Sequence, residues 1–300
     1  MNSEHKNQTL KNISGYAYLW IAAIIWGFAF VAQRVGMETM GPFYFNVFRF
    51  LLGAATVLVV ICIRSGIKSI SKSDFKMGIY AGLALFIAST LQQMGIVYTG
   101  AGKAGFISGT YIAFVPLLGL ALGHKVSRKK WIGILVVLIG LMMLTYQKGF
   151  RLEKGDILLF ISAICWAVHI HVIDKCLKKV QPLNLAFVQF LISGSLSLIP
   201  AMIFEDVTLS IMQSTLIPLL YAGILSVGMA YTLQVMGQKL VEPSLAALIM
   251  SFETVFALVG GWLVLHEQFA LKEILGCFIM FAGMLIVQIN FQQKNVNKIS

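Results

Sequence analysis

Two charged residues stand inside long apolar stretches of the chain. Arg49 lies within the stretch 42–63 and Glu253 near the middle of 244–265. A charge near the centre of a membrane helix costs roughly 2.5–3.5 kcal/mol on insertion scales, so it must face water, a partner or a solute. A guanidinium there can attract an anionic group, and a carboxyl group can hold an amine or a proton. The competing reading of both is structural: a buried pair, or hydrogen bonds to open backbone. Gln92, Gln93, Gln189 and Gln234 add amides that can satisfy a solute or a neighbouring helix without net charge. Trp26 and Trp166 lie mid-stretch, away from the ends where membrane tryptophans gather. Each offers a flat face to aromatic or cationic solutes, and Tyr111 and Tyr231 are similar candidates. For proton coupling the candidates are Glu253 and then His169, because histidine side chains in general titrate near neutral pH.

Other chemistries find no support in the spacing. His169 and His171 are two residues apart, about 200° around a helix, and point to opposite faces. A helical metal pair needs i, i+4 spacing. Cys62, Cys165, Cys176 and Cys277 form no C-x-x-C and read as small buried hydrophobes. No metal or other cofactor is expected. There is no H-E-x-x-H, P-loop, G-x-S-x-G or Gly-rich dinucleotide loop, so the chain is not expected to be an enzyme. The runner-up is a membrane-embedded enzyme acting on lipid or a small substrate, resting on Glu253 and His169 as an acid–His pair. A channel would need a ring of like charges or a carbonyl filter, and neither is seen.

These side chains are carried by an unusually apolar chain. Of 300 residues, 58% are hydrophobic and 12% charged, against about 25% charged in soluble domains. Such a sequence cannot cover a soluble surface, and its four cysteines are too sparse for a secreted disulfide scaffold. Roughly 20 apolar residues cross a bilayer as a helix. Ten such runs are marked at 16–35, 42–63, 77–98, 104–123, 131–146, 155–174, 183–204, 216–236, 244–265 and 273–291. The fold class expected is therefore all-α integral membrane. Despite a net charge of +11, the Lys and Arg fall in the short gaps between runs, not on one face of a polar domain. No nucleic-acid partner is expected. With the N-terminus inside, sixteen Lys and Arg lie on the inner side and six on the outer, which places both termini in the cytoplasm.

An internal repeat organises the runs. Trp26, Pro42 and Phe50 recur 140 residues on as Trp166, Pro182 and Phe190. Tyr80-Ala81-Gly82 recurs as Tyr221-Ala222-Gly223, and Leu91-Gln92-Gln93-Met94-Gly95 as Leu233-Gln234-Val235-Met236-Gly237. His124 pairs with His266, and Gly133 and Gly140 pair with Gly276 and Gly283. Each half holds five runs, so the second enters the membrane from the opposite side. Ten transmembrane helices as two inverted five-helix repeats, 17–146 and 156–290, are expected. That is a secondary-transporter architecture, with the substrate site near the midplane. The charges break the repeat, because Gln189 stands in the place of Arg49 and Tyr111 in that of Glu253. Gly105 and Gly109, four apart, allow close helix approach.

The stretch Trp26-Gly27-Phe28-Ala29-Phe30-Val31 resembles the first helix of the EamA family of the drug/metabolite transporter superfamily. So does Tyr98-Thr99-Gly100-Ala101-Gly102-Lys103-Ala104-Gly105-Phe106, running on to Pro116-Leu117-Leu118. Gly261-Trp262-Leu263-Val264-Leu265-His266-Glu267, followed by Gly276 and Gly283, closes the second half in the same manner. Thr254 stands where the family often has Pro, and His124-Lys125 where the first repeat often has Gly-Glu. The resemblance implies a ten-helix carrier of small metabolites or drugs, often outward. The expected function is secondary transport of amino acids or related polar and amphipathic compounds across the cytoplasmic membrane by alternating access. The partners expected are a small-molecule substrate and the lipid bilayer, with a homodimer left open.

Overall fold

A computed structural model of the chain describes residues 3–98, 101–124, 126–145, 154–265 and 271–296. His266, Glu267, Thr99, Gly100 and Lys125 of the motifs above lie outside them. Every regular element among the described residues is helical. In order they are α1 (Ser3–Gly36), α2 (Pro42–Arg64), a 3-10 turn (Ile67–Ser69), α3 (Lys72–Tyr98), α4 (Ala101–Gly109) and α5 (Tyr111–Ala121). Then follow α6 (Arg128–Thr145), α7 (Lys154–Cys176), α8 (Pro182–Phe204), α9 (Leu209–Ser214) and α10 (Leu216–Leu220). A π-helical segment (Tyr221–Tyr231), α11 (Thr232–Gln238), α12 (Pro243–Met250), α13 (Glu253–Leu265) and α14 (Leu271–Val296) complete it. Among the described residues, seven stretches are long and apolar enough to cross a membrane, with shorter apolar helices at Ile107–Ala121 and Ile274–Ile286. The expected run 104–123 is divided between α4 and α5, while 131–146 and 273–291 fall on α6 and α14.

Local sequence explains the ends and the breaks. Pro42, Pro182 and Pro243 each open a helix, where a missing N–H leaves nothing unpaired. The N-terminus of α2 is held from across the fold. Glu205, just past α8, accepts from the Phe43 N–H at 2.9 Å and the Tyr44 N–H at 2.8 Å. Two breaks fall inside apolar stretches. Between α4 and α5, the Thr110 hydroxyl donates to the Ile107 carbonyl at 2.6 Å. Between α12 and α13, the Ser251 hydroxyl donates to the Leu248 carbonyl at 2.8 Å. These side chains supply partners that the interrupted backbone ladders lack. The second break forms with Thr254, not Pro, beside it.

The helices cross in close pairs. α3 lies along α7 and α8, α1 along α11 and α13, α2 along α8 and the π segment, and α6 along α14. Glycines set the closest approaches. A Cβ at Gly140 would stand 2.6 Å from the Gly276 carbonyl oxygen, and one at Gly283 2.8 Å from that of Gly133. A Cβ at Gly109 would stand 2.9 Å from Leu141 of α6, whereas one at Gly105 would make only an ordinary 3.5 Å contact with Thr254 of α13. The core runs through the whole bundle, from Leu19 and Phe50 to Phe190, Leu245 and Met280. The large apolar side chains left exposed, such as Ile63, Ile199 and Phe204, lie on outward faces, as in a protein whose solvent is lipid. The cysteine reading needs correction. Only Cys176 is buried; Cys62 is exposed, and Cys165 and Cys277 are half-buried. None of the four forms a disulfide, and the buried Cys176 donates from its Sγ to the Met77 carbonyl at 3.5 Å.

Candidate functional site

The broken helices and their partners converge on one cavity of about 520 Å³, part of it open to solvent. Tyr111 and Glu253 are the first residues of α5 and α13, so each break aims one polar side chain inward. A half-helix N-terminus carries partial positive charge, which favours a carboxylate such as Glu253 in that first turn. From α1 come Trp26, Phe30 and Gln33; α2 supplies Arg49, and α3 supplies Gln92. The second half contributes Trp166, Ile170, Ser226, Tyr231, Gln234 and Met250 beside Glu253.

Arg49 is 2% exposed, yet only its Nη1 is paired, donating to Gln33 Oε1 at 3.0 Å. Gln33 is itself anchored by its Nε2 donating to the Ala29 carbonyl at 3.1 Å. The Nε and Nη2 groups of Arg49 have no partner, and its guanidinium lies 4.8 Å from the centroid of the Phe50 ring. No ion pair joins Arg49 to Glu253. The cavity therefore holds one cation and one carboxyl group that do not neutralise each other. Tyr231 lines the same cavity, with ring centroids of Trp26 at 4.6 Å and Trp166 at 5.9 Å. Both indole N–H groups are buried without a protein acceptor. Buried donors nearly always find a partner, so these four unpaired N–H positions read as acceptor-seeking. Gln92 Nε2 donates to Ser108 Oγ at 3.2 Å, which ties α3 to α4 at the cavity edge.

Eight of the eleven residues expected from sequence line this cavity: Trp26, Arg49, Gln92, Tyr111, Trp166, Tyr231, Gln234 and Glu253. Three do not. His169 and Gln189 face each other behind the wall, His169 Nε2 lying 3.1 Å from Gln189 Oε1, while the His169 ring meets the Trp166 edge at 5.6 Å. Gln93 is fully buried away from the lining. The acid–His pair required for a membrane enzyme is thus not assembled, since only its acid reaches the cavity. His171 turns the other way, its Nε2 2.7 Å from the Val115 carbonyl oxygen, as the 200° spacing predicts. Phe30, Gln33, Ile170, Ser226 and Met250 join the site unannounced. Gln33 had a signal: it follows Trp26 by seven residues, on the same helix face.

A model of the EamA-like transporter family matches residues 13–146 and again residues 153–289. The chain belongs to the EamA-like transporter family. An "uncharacterized transporter" of Archaeoglobus fulgidus is 30% identical over 277 residues, covering 91% of this chain and 86% of its own length. The Bacillus subtilis transporter YoaV is 24% identical over 281 residues, 91% of this chain and 96% of that one. A solved crystal structure superposes with a TM-score of 0.80 at 16% identity, covering 93% of this chain and 98% of the other, and so shares the fold. As a member of the EamA-like family the protein is a multi-pass membrane transporter of the drug/metabolite transporter kind, not an enzyme.

Proposed function

We propose that this transporter is a secondary carrier that exports a small zwitterionic or amphipathic metabolite, of amino-acid type, across the cytoplasmic membrane. One observation carries the reading: Arg49 and Glu253 face a single aromatic cavity built from both halves and leave each other unpaired. A solute carrying a carboxylate and an amine a few bonds apart would neutralise both, with Trp26, Trp166 and Tyr231 covering its apolar part. Such complementarity discriminates strongly, because a solute missing either group leaves a buried charge unmatched.

The same reading takes the halves as inverted five-helix repeats with both termini cytoplasmic, and close packing supports it. A Cβ at Gly95 would lie 3.1 Å from the Gly155 carbonyl oxygen, and one at Gly237 would lie 3.1 Å from that of Gly15. Gly82 meets Ile192 as Gly223 meets Leu52. Each pair maps onto the other under the repeat, with α3·α7 mirrored by α11·α1 and α3·α8 by the π segment against α2. Alternating access then follows from rocking that exchanges the arrangements of the two halves around a fixed site.

Glu253 serves as the proton site. Drive requires that protonation change the relative stability of the two access states. The test is uptake of radiolabelled amino acids into liposomes, by counterflow and by an imposed pH gradient. Glu253→Gln should keep counterflow, which needs no proton release, and lose pH-driven accumulation. Full pH-driven accumulation in Glu253→Gln would place the proton elsewhere.

A further inference from the structure

The two halves differ by one residue at a place where the structure shows what that residue does. Eight residues separate Gly82 from Leu91 in the first half, and nine separate the matching Gly223 from Leu233 in the second. The surplus falls in Tyr221–Tyr231, which is wound as a π-helix, whereas the matching part of α3 is α-helical throughout. One residue added to an α-helix rotates everything beyond it by about 100°. Here both flanks keep their register. Gly223 still meets Leu52, and Gly237 still meets Leu19 and the Gly15 carbonyl. The wide winding has absorbed the extra residue. The glycines facing the partner helix record it: Gly223 and Gly228, five apart, face Leu52 and Thr56 of α2, four apart.

What the surplus delivers is Tyr231. The α3 positions at that level are Ser89 and Thr90, small and outside the cavity lining. Tyr231 instead lines the cavity, with Phe190 at 6.1 Å and Phe50 at 6.4 Å completing its aromatic surround. π-Helical winding is rare and usually confined to a single turn at functional sites. An i→i+5 turn can pass along a helix one residue at a time, because each step exchanges one carbonyl partner for its neighbour. We propose that Tyr221–Tyr231 is a register switch that positions Tyr231. The wide turn holds the ring between Trp26 and Trp166 in this state. Its passage beyond residue 231 swings the ring about 100° out of the cavity and joins the Arg49 and Glu253 ends for the solute. This rests on the transport reading above.

Two measurements on the full-length protein test it. The first needs no solute: hydrogen–deuterium exchange of the purified wild type. Amides of residues 224–231 should exchange markedly faster than those of the matching residues 83–90 of α3. Equal protection would overturn the switch. The second deletes Leu225, a residue exposed on the outward face. Because α3 fits α8 without the surplus residue, the shortened helix should fit α2, and the variant should reach the membrane at wild-type level. The probes are the proteinogenic amino acids, the strongest thermal stabiliser of the wild type serving as counterflow substrate. The deletion variant should keep ligand-dependent stabilisation and lose counterflow by at least about tenfold. Unchanged counterflow would refute the switch, and a variant that fails to fold would refute the register reasoning itself. If no amino acid stabilises or exchanges through the wild type, the substrate class proposed above fails, and the exchange measurement alone decides the switch.

Discussion

Replacing Arg49 by Gln, the residue that the second half carries at position 189, separates binding from folding. Two opposing effects set the stability change. Loss of the Arg49–Gln33 hydrogen bond removes a charge-assisted contact, about 1.5–3 kcal/mol. Removal of a guanidinium that is 2% exposed and only partly paired returns roughly 2.5–3.5 kcal/mol of charge burial. The two nearly cancel, so the empty protein should unfold within about 1–2 kcal/mol of wild type. Binding has no such offset. Truncating one member of a buried charged contact costs about 2–5 kcal/mol, which is roughly 30-fold in Kd at the low end. A ligand at 100 times its Kd stabilises the wild type by about 2.7 kcal/mol; at a Kd 30-fold weaker the same concentration gives about 0.9 kcal/mol. Thermal unfolding of both proteins with and without saturating amino acid reads both quantities at once. Undiminished ligand stabilisation in Arg49→Gln would remove Arg49 from the binding site. A loss of 3 kcal/mol or more without ligand would make the residue structural.

Three further outcomes are expected. Cysteines placed at Asp206 and Lys72 should react with a membrane-impermeant maleimide from outside and inside respectively, and the reverse pattern would overturn the inverted arrangement. Gly140→Val drives a side chain into the Gly276 backbone, which cannot rotate away. It should cost about 1–3 kcal/mol or more in thermal stability, whereas unchanged stability would mean that α6 and α14 are less closely packed than described. Glu205→Ala removes the acceptor of the Phe43 and Tyr44 N–H groups and should lower stability by about 1–2 kcal/mol, read by thermal unfolding.

The sequence carried the helical class and most of the cavity because both follow from what lipid forbids. A polar side chain in a continuous apolar run has few places to go, so Arg49, Gln92, Gln234 and Glu253 could be placed by type and depth alone. Depth does not give direction around the helix. Gln93 and Gln189 sit at the right depth but lie outside the lining, and His169 is turned from the cavity to meet Gln189. Phe30, Ile170 and Met250 were illegible for the opposite reason, since an apolar wall residue looks like any core residue. The π winding was visible only as a drift of one residue in the repeat offset. Spacing records an insertion but not whether the helix rotates or widens to take it.

The symmetry of the scaffold also explains why the charges are unequal. In each half the second long helix offers a polar side chain to the first: Arg49 to Gln33 in one, Gln189 to His169 in the other. Both links join helices that pack alike, so both satisfy the same structural need, a polar tie within an apolar bundle. Only the first opens into the cavity with donors to spare. If the tie alone mattered, a neutral pair would serve in both halves and avoid the cost of burying a guanidinium. On the proposed function, the cation is explained by a solute and not by the fold. Glu253 supports the same inference from the other half, because its repeat counterpart Tyr111 reaches the cavity at the equivalent helix break without a charge. On the proposed function, a scaffold that places side chains at repeat-equivalent positions, but charges one of each pair with opposite sign, presents a dipole to whatever enters. A solute bearing both charges binds it in one orientation, and a carrier that rocks around that solute keeps the orientation through the cycle.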